Sequence, residues 1–206
     1  MTNPRFAILY KVNEYEREDV MGNTRVPECD LRDERPVCRL YLPFASGNDI
    51  KLGTRPGGMA AFPAFVGFGV SDISINYFGE QINLDDEFAN FAITLPETFA
   101  IDALAATFYN IQTGVYGNSV ITVKAQLYHA DNSTNIFKPI KETLLALKPD
   151  FYGNTGDIKI ACAVKKGINL KINAGSRLLL VFYSEANGGR GITEIRGYAS
   201  AGLTLT

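Results

Sequence analysis

Three cysteines and one histidine are the side chains in this sequence that are best suited to redox, metal or acid–base chemistry. Cys29 and Cys38 are separated by eight residues, a spacing that fits neither a CxxC redox site nor a zinc ribbon. We favour a disulfide, within one chain or between subunits, as an extracellular coat or fibre would use; two unrelated free thiols are the alternative. Cys162 alternates with Ile160 and Val164, which predicts a buried core thiol.

The other candidate motifs are incomplete. His129 is the only histidine, and one histidine can form neither a zinc site nor a hydrolase triad without its partners. The carboxylates 85–87 lack the spaced oxygens of a calcium loop, and the glycines of 67–69 lack the third glycine of a dinucleotide motif. Residues 132–134 form a formal glycosylation sequon, and the absence of Trp excludes a tryptophan platform for sugars. The sequence therefore predicts no catalytic, metal or cofactor-binding residues, and a protein that is not an enzyme.

Composition narrows the class of protein further. The chain is 46% hydrophobic and 20% charged with a net charge of −2, which is typical of a globular domain and argues against non-specific nucleic-acid binding. Neither a signal-peptide pattern nor an apolar run of membrane-spanning length is visible. We therefore expect no membrane span, and release by assembly and cell lysis if the protein acts outside a cytoplasm.

Charge divides the chain into two regions. Residues 1–39 carry 15 of the 42 charged side chains, so we place a boundary there, with an N-terminal arm before it and one domain over 40–206. The arm has too few apolar residues for its own core and must pack on its own domain or on a neighbouring subunit. Its one alternating segment predicts a strand that could add to an exposed sheet edge. The residues on the apolar side of that segment are Phe6, Ile8, Tyr10 and Val12.

The domain reads as a succession of short strands. The run 177–183 is apolar on both faces, which predicts a strand buried from two sides. The run 119–128 alternates, which predicts that one face is buried and that Thr122, Lys124 and Gln126 face outward. In 98–109 the alternation places Ile101, Ala103 and Ala105 on one face. The buried face of 119–128 comprises Ile121, Val123, Ala125 and Leu127.

Helical periodicity is nearly absent. Only 141–148 could form a short helix, and Pro149 limits it. Many short strands separated by Gly, Pro and Asn turns predict an all-β sandwich or jelly roll. The last nine residues alternate small side chains with hardly any charge, and such a smooth terminal strand needs a cover, which we expect copies of the same protein to supply.

Seven segments in order carry a family resemblance: LPFASG (42–47), VGFG (66–69), NFAITLP (90–96), SVITVKAQLY (119–128), NIFKPI (135–140), AGSRLLLVF (174–182) and GYASAG (197–202). Together they resemble the C-terminal domain of collagen-like exosporium glycoproteins of the BclB-related type, found on spores of Bacillus and clostridial relatives. The resemblance implies a jelly roll like that of tumour necrosis factor and the globular complement heads, assembled as a homotrimer without enzyme activity. The last strand of such a jelly roll lies near the three-fold axis, which predicts the trimer-interface residues Tyr198, Ala199, Ala201, Leu203 and Leu205.

The chain departs from this family in lacking the Gly-X-Y stalk, whose place the charged arm takes. A stand-alone trimer, or subunits chained through their arms, is therefore expected. The resulting prediction is a non-enzymatic structural protein of the spore surface, in the exosporium or an appendage, with itself and other spore-coat or exosporium proteins as partners. The alternative is a trimeric surface module that recognises host or environmental ligands such as glycans.

Overall fold

The computed structural model describes residues 39–73, 81–84, 88–112, 116, 118–153, 159–188 and 192–206, the side chain of Ala89 excepted. The chain divides into two units, 1–36 and 37–206, and every described residue belongs to the second. Two sets of predicted residues lie outside the described ranges: the cysteine pair with the arm strand, and the carboxylate cluster 85–87. The first set comprises Cys29, Cys38, Phe6, Ile8, Tyr10 and Val12.

Strands make up nearly all of the regular structure of the described residues, with two 3₁₀ turns at Ala89–Phe91 and Lys141–Thr143. The strands are β1 (Leu40–Ala45), β2 (Ile50–Thr54), β3 (Ala60–Phe62), β4 (Ala64–Val66), β5 (Ser71–Ile73), β6 (Ile82–Asn83), β7 (Ile93–Thr94), β8 (Phe99–Asn110), β9 (Val120–Ala130), β10 (Ile136–Pro139), β11 (Leu145–Ala146), β12 (Ile160–Ile172), β13 (Arg177–Asn187) and β14 (Glu194–Leu205).

The strands form two antiparallel sheets that face each other. The six-stranded sheet has the order β12-β8-β14-β2-β3, and β1 also pairs with β14. The eight-stranded sheet has the order β5-β4-β13-β9-β10-β6, with β11 on β9 and β7 on β13. The chain crosses between the sheets repeatedly, and β11 to β14 alternate between them. The predicted all-β jelly-roll sandwich is confirmed.

The main core lies between the sheets and is formed by alternate side chains of their strands. The predicted inward residues of β9 are each at most 1% exposed, which confirms that face. They share the main core with the inward side chains of β8 and β14. In this core Phe108 of β8 contacts Phe151, the bridge partner of Ile121, at a ring-centroid distance of 6.0 Å. Gln126 was predicted to face outward but is buried, because its Nε2 donates to the Ile140 carbonyl at 3.1 Å under the 140–147 connection.

A second core covers part of the outer face of the eight-stranded sheet. Leu178, Leu180 and Phe182 of β13 enter the main core, whereas the residues between them enter the second one. The predicted burial of this strand from two sides is therefore confirmed. The second core includes Ala60, Phe65, Ile82, Leu84, Phe91, Tyr128, Phe137, Leu179, Val181 and Tyr183. Burial in this core raises the pKa of Tyr128 to about 12, so its phenol stays neutral.

A β-bulge at Asp102 changes the faces of β8. Both neighbouring strands shift register there: Ala103 pairs with Thr204 and with Lys166, whereas Ile101 pairs with Leu205 and with Leu170. The bulge keeps Ile101 buried but turns Ala103 and Ala105 to the outer face, so their predicted placement with Ile101 is wrong.

Two further predictions need correction. Cys162 is exposed rather than buried, because its cross-strand partner is Thr107 on the outer face, and Ala161 takes the inward position. The predicted helix over 141–148 is only a 3₁₀ turn, after which β11 pairs with β9. Thr143 explains the short turn, since its buried hydroxyl donates to the Ile140 carbonyl at 2.8 Å and accepts from the Leu127 amide at 3.0 Å.

We expect Leu179→Ala and Leu180→Ala, adjacent residues in different cores, each to lower the free energy of unfolding by roughly 2–5 kcal/mol. Both side chains are fully buried, so each truncation leaves a cavity. Urea denaturation at one fixed protein concentration measures the loss. Leu144→Ala, at a side chain that is 39% exposed, is the matched control. A Leu179→Ala loss no larger than that of the control would contradict a packed second core.

Candidate functional site

Chemical groups that could form an active centre do not converge in the described part of the chain. No three of its His, Cys, Asp or Glu side chains come together as metal ligands. His129 Nε2 lies 3.7 Å from Asp131 Oδ1, and that aspartate is 78% exposed. No helical segment within the described ranges has the length and apolarity that a membrane crossing requires. The candidate site is therefore a surface.

The predicted interface on β14 is placed on the wrong face. Ala199, Leu203 and Leu205 are at most 3% exposed and belong to the core of their own protomer, and Ala201 packs against that core. Of the five predicted residues only Tyr198, 46% exposed, is available to another molecule. The strand is also no edge, because β8 pairs with one side of it and β1 and β2 pair with the other.

The opposite face of the same sheet is open, and antiparallel register arranges it in rows. One row joins Ile160, Tyr109 and Tyr198, and the next joins Cys162, Thr107, Ser200 and Ala45. A third row joins Val164, Ala105, Gly202 and Pro43. We call these eleven residues the exposed sheet face. None of them is charged, which is unusual for a solvent-facing surface.

Bulk is distributed unevenly over the exposed sheet face. Large apolar side chains stand at its margin, with Ile160 52% and Val164 62% exposed. Small residues occupy the strands between, where Ala105, Thr107, Ser200 and Gly202 form a shallow floor. A surface of this shape lets another backbone approach closely while the margin side chains are buried against it.

Charges border one end of the exposed sheet face, and they are neutralised locally. Arg196 Nε donates to Asp49 Oδ2, and Lys51 Nζ lies 2.8 Å from Glu194 Oε1. The hydrogen bond from Arg196 holds the pKa of Asp49 below its ordinary value, outweighing the opposing effect of desolvation. The border at this end therefore adds little net charge to the apolar surface beside it, whereas at the other end the next row of the same face carries Lys166.

Sequence reasoning missed most of the exposed sheet face because its residues come from four strands that are distant in sequence. The alternation of β14 was visible in the sequence, but the side chains on both of its faces are small and nearly all uncharged. The pattern therefore did not indicate which face is buried within the protomer. The residues of β8 were hidden further by the bulge at Asp102.

Comparisons with known proteins add distant likenesses alone. No family model matches the chain, and none of the curated proteins matches it. Among solved structures, it is similar to that of infectious bursal disease virus Gx strain at 14% identity and a TM-score of 0.35, covering 82% of this chain and 32% of the other. For the VP2 subviral particle of that virus the identity is 14% and the TM-score 0.37, with 81% of this chain and 32% of the other covered. For its Gt strain the identity is 12% and the TM-score 0.36, with 87% of this chain and 36% of the other covered. The chain thus spans about a third of these proteins, and the likeness is too distant to bear on function.

We expect two glycines of β14 to respond oppositely to a methyl group. A Cβ at Gly197 would lie 2.2 Å from the Tyr109 carbonyl oxygen and 2.7 Å from the Phe108 ring, whereas a Cβ at Gly202 meets no atom within 4 Å. Gly197→Ala should therefore lower the free energy of unfolding by about 1–3 kcal/mol, and Gly202→Ala should leave it unchanged or raise it slightly. Urea denaturation compares them; equal losses would contradict an open face at Gly202.

Proposed function

We propose that this protein is a non-enzymatic structural component of the spore surface, in the exosporium or an appendage, and that it assembles as a homotrimer through the exposed sheet face. The observation that carries the assembly is the uncharged patch that the eleven residues of the exposed sheet face form on the outer side of the six-stranded sheet. The resemblance of residues 41–206 to exosporium glycoprotein domains supports the spore surface as its location.

The physical argument for assembly compares the free energy gained by burying the apolar side chains of this face with the free energy lost by desolvating its polar groups. Covering the exposed Ile160, Val164 and Tyr198 removes apolar area from water at about 25 cal/mol per Å². Because the face carries no charge, no ion has to be desolvated without a partner. In a closed three-fold arrangement two different parts of the face meet at each interface, and closure of the ring leaves no apolar surface for open-ended growth.

We assign higher assembly to the N-terminal arm, which the sequence predicts to pack on its own domain or on a neighbouring subunit. Strand addition by the segment Phe6–Val12 would join trimers into a fibre or layer, and crosslinks through Cys29 and Cys38 would secure them. These residues lie outside the described ranges, so the arm is proposed on sequence grounds alone.

A second candidate function, a surface module that binds ligands, is favoured by a polar depression around Arg177 at one end of the eight-stranded sheet. It is compatible with assembly, since the depression and the exposed sheet face belong to different sheets.

We expect Gly202→Arg to dissociate the trimer while leaving the protomer folded. The position is open in the protomer but central on the exposed sheet face, so three arginines would meet without counter-ions. Sedimentation velocity across a concentration series should show at least about a tenfold increase in the dissociation constant. Val120→Arg, 38% exposed on the outer face of the other sheet, is the matched control and should remain trimeric.

The same experiment has a second readout at Cys162, which is exposed in the protomer and adjoins Thr107 on the exposed sheet face. Maleimide labelling of Cys162, quantified on its peptide, should be slower in the wild type than in Gly202→Arg. A wild-type monomer at micromolar concentration, or an unchanged trimer for Gly202→Arg, would refute assembly through this face. Ala201→Glu is unsuitable for this test, because Ala201 packs against the protomer core.

The proposed location has its own test. Immunogold electron microscopy with antibodies against residues 40–206 should label the surface of intact, unpermeabilised spores of the source organism, with vegetative cells as the matched control. Label confined to the interior of sectioned spores would contradict a spore-surface role, even if the trimer is found.

A further inference from the structure

A polar depression of about 600 Å³ opens at one end of the sandwich, in the volume range of small-molecule sites. Three segments meet there: the β9–β10 connection, the turn between β12 and β13, and β7. The residues that carry the argument are Thr94, Asn132, Ser133, Thr134, Asn135 and Arg177. Their side chains are hydroxyls, amides and one guanidinium, and the lining contains neither a carboxylate nor a large apolar side chain.

Arg177 is the only charge in this lining, and it is held in place. Its Nη2 donates to the Thr134 carbonyl and, at 2.6 Å, to Asn135 Oδ1. The guanidinium lies 5.2 Å from the centre of the buried Phe137 ring, which fixes its plane. No carboxylate of the described residues forms an ion pair with it. A guanidinium positioned without a counter-ion attracts an anionic group.

The geometry of Arg177 also limits how it can contact a ligand. Both Nη2 donors are used, and Nε is a buried donor without an acceptor among the described residues. Nη1 is therefore the nitrogen left to meet a bound group. One donor with one charge suits a single carboxylate or sulfate oxygen better than a phosphate dianion, which proteins usually surround with several cations or amides.

The rim of the depression is organised in advance. The Thr134 amide donates to the Asp131 carbonyl at 3.2 Å, and Thr134 Oγ1 accepts from the Ile136 amide at 3.0 Å. The facing turn is anchored by the Gly175 amide, which donates to the Leu95 carbonyl at 2.8 Å. Backbone that is already fixed loses little conformational entropy when a ligand binds, so even a few polar contacts can give measurable affinity.

We propose that this depression binds an acidic saccharide, with its carboxylate on Arg177 and its hydroxyls on Asn132, Ser133 and Thr94. Amide and hydroxyl side chains match sugar hydroxyls as both donors and acceptors. The volume accommodates one or two sugar rings. This inference gives a ligand class to the second candidate function, and it is independent of trimer assembly.

Saturation-transfer NMR and calorimetry with sodium glucuronate as the probe test the site, with glucose and sodium acetate as matched comparisons. Glucuronate should bind at least about tenfold more tightly than either, because each comparison lacks one half of the recognised chemistry. Arg177→Gln should weaken glucuronate binding by at least about tenfold. Arg177→Lys, which keeps the charge without the fixed fork, should lose part of that affinity.

Two further variants keep the test decisive. Asn132→Ala combined with Ser133→Ala alters exposed side chains only, so it should weaken glucuronate binding without unfolding the protein if Arg177 variants prove unstable. Lys138→Gln removes an exposed cation that is outside this lining and should bind glucuronate like the wild type.

The proposal is overturned if folded wild-type protein does not bind glucuronate, if glucose or acetate binds equally well, or if Lys138→Gln loses as much affinity as Arg177→Gln. All measurements are repeated in the Gly202→Arg background, so that failure of the assembly proposal leaves this result interpretable.

Discussion

Burial of one strand from both sides is the constraint on which the rest of this structure depends. Alternate side chains of β13 enter two different cores while its backbone pairs with β9 over the whole length of the strand. A shift by one residue would exchange the side chains that β13 places in the two cores. Packing in both cores therefore fixes the register of β13. It also positions Arg177, which begins the strand at the open end of the second core.

The two sheets differ in how the chain itself covers them. Segments around Ala60, Leu84 and Phe91 cover part of the outer side of the eight-stranded sheet, whereas the described residues leave the six-stranded sheet with a bare outer side. Over the exposed sheet face this bare side has apolar side chains at the margin, small side chains at the centre and no charged side chain. In the assembly that we propose, a second copy covers this side as the chain itself covers part of the other sheet. The depression at Arg177 has the opposite character, being polar and formed by loops that β13 and β9 hold in place.

The sequence predicted the parts of this fold that one strand can specify alone. Apolar content on both faces identified β13, and strict alternation identified the inward face of β9, because local pattern and final burial coincide there. Where pairing decides the outcome, local pattern was insufficient. The bulge at Asp102 reversed the face of Ala105, cross-strand register exposed Cys162, and the two similar faces of β14 left its buried side undetermined. The depression around Arg177 could not be predicted from the sequence for the same reason. Its residues come from three segments that are brought together only by the tertiary fold.

The position of β14 has a consequence for how the domain is made. It lies after every other strand in the chain, yet in space it separates β8 from β1 and β2, and hydrogen bonds between Ala100 and Thr206 close its end. During synthesis β1 must wait for a partner about 160 residues downstream, so the six-stranded sheet cannot form until the last strand has left the ribosome. Incomplete chains therefore never present the finished outer surface of that sheet. Only a chain that contains β14 can therefore enter the assembly that we propose.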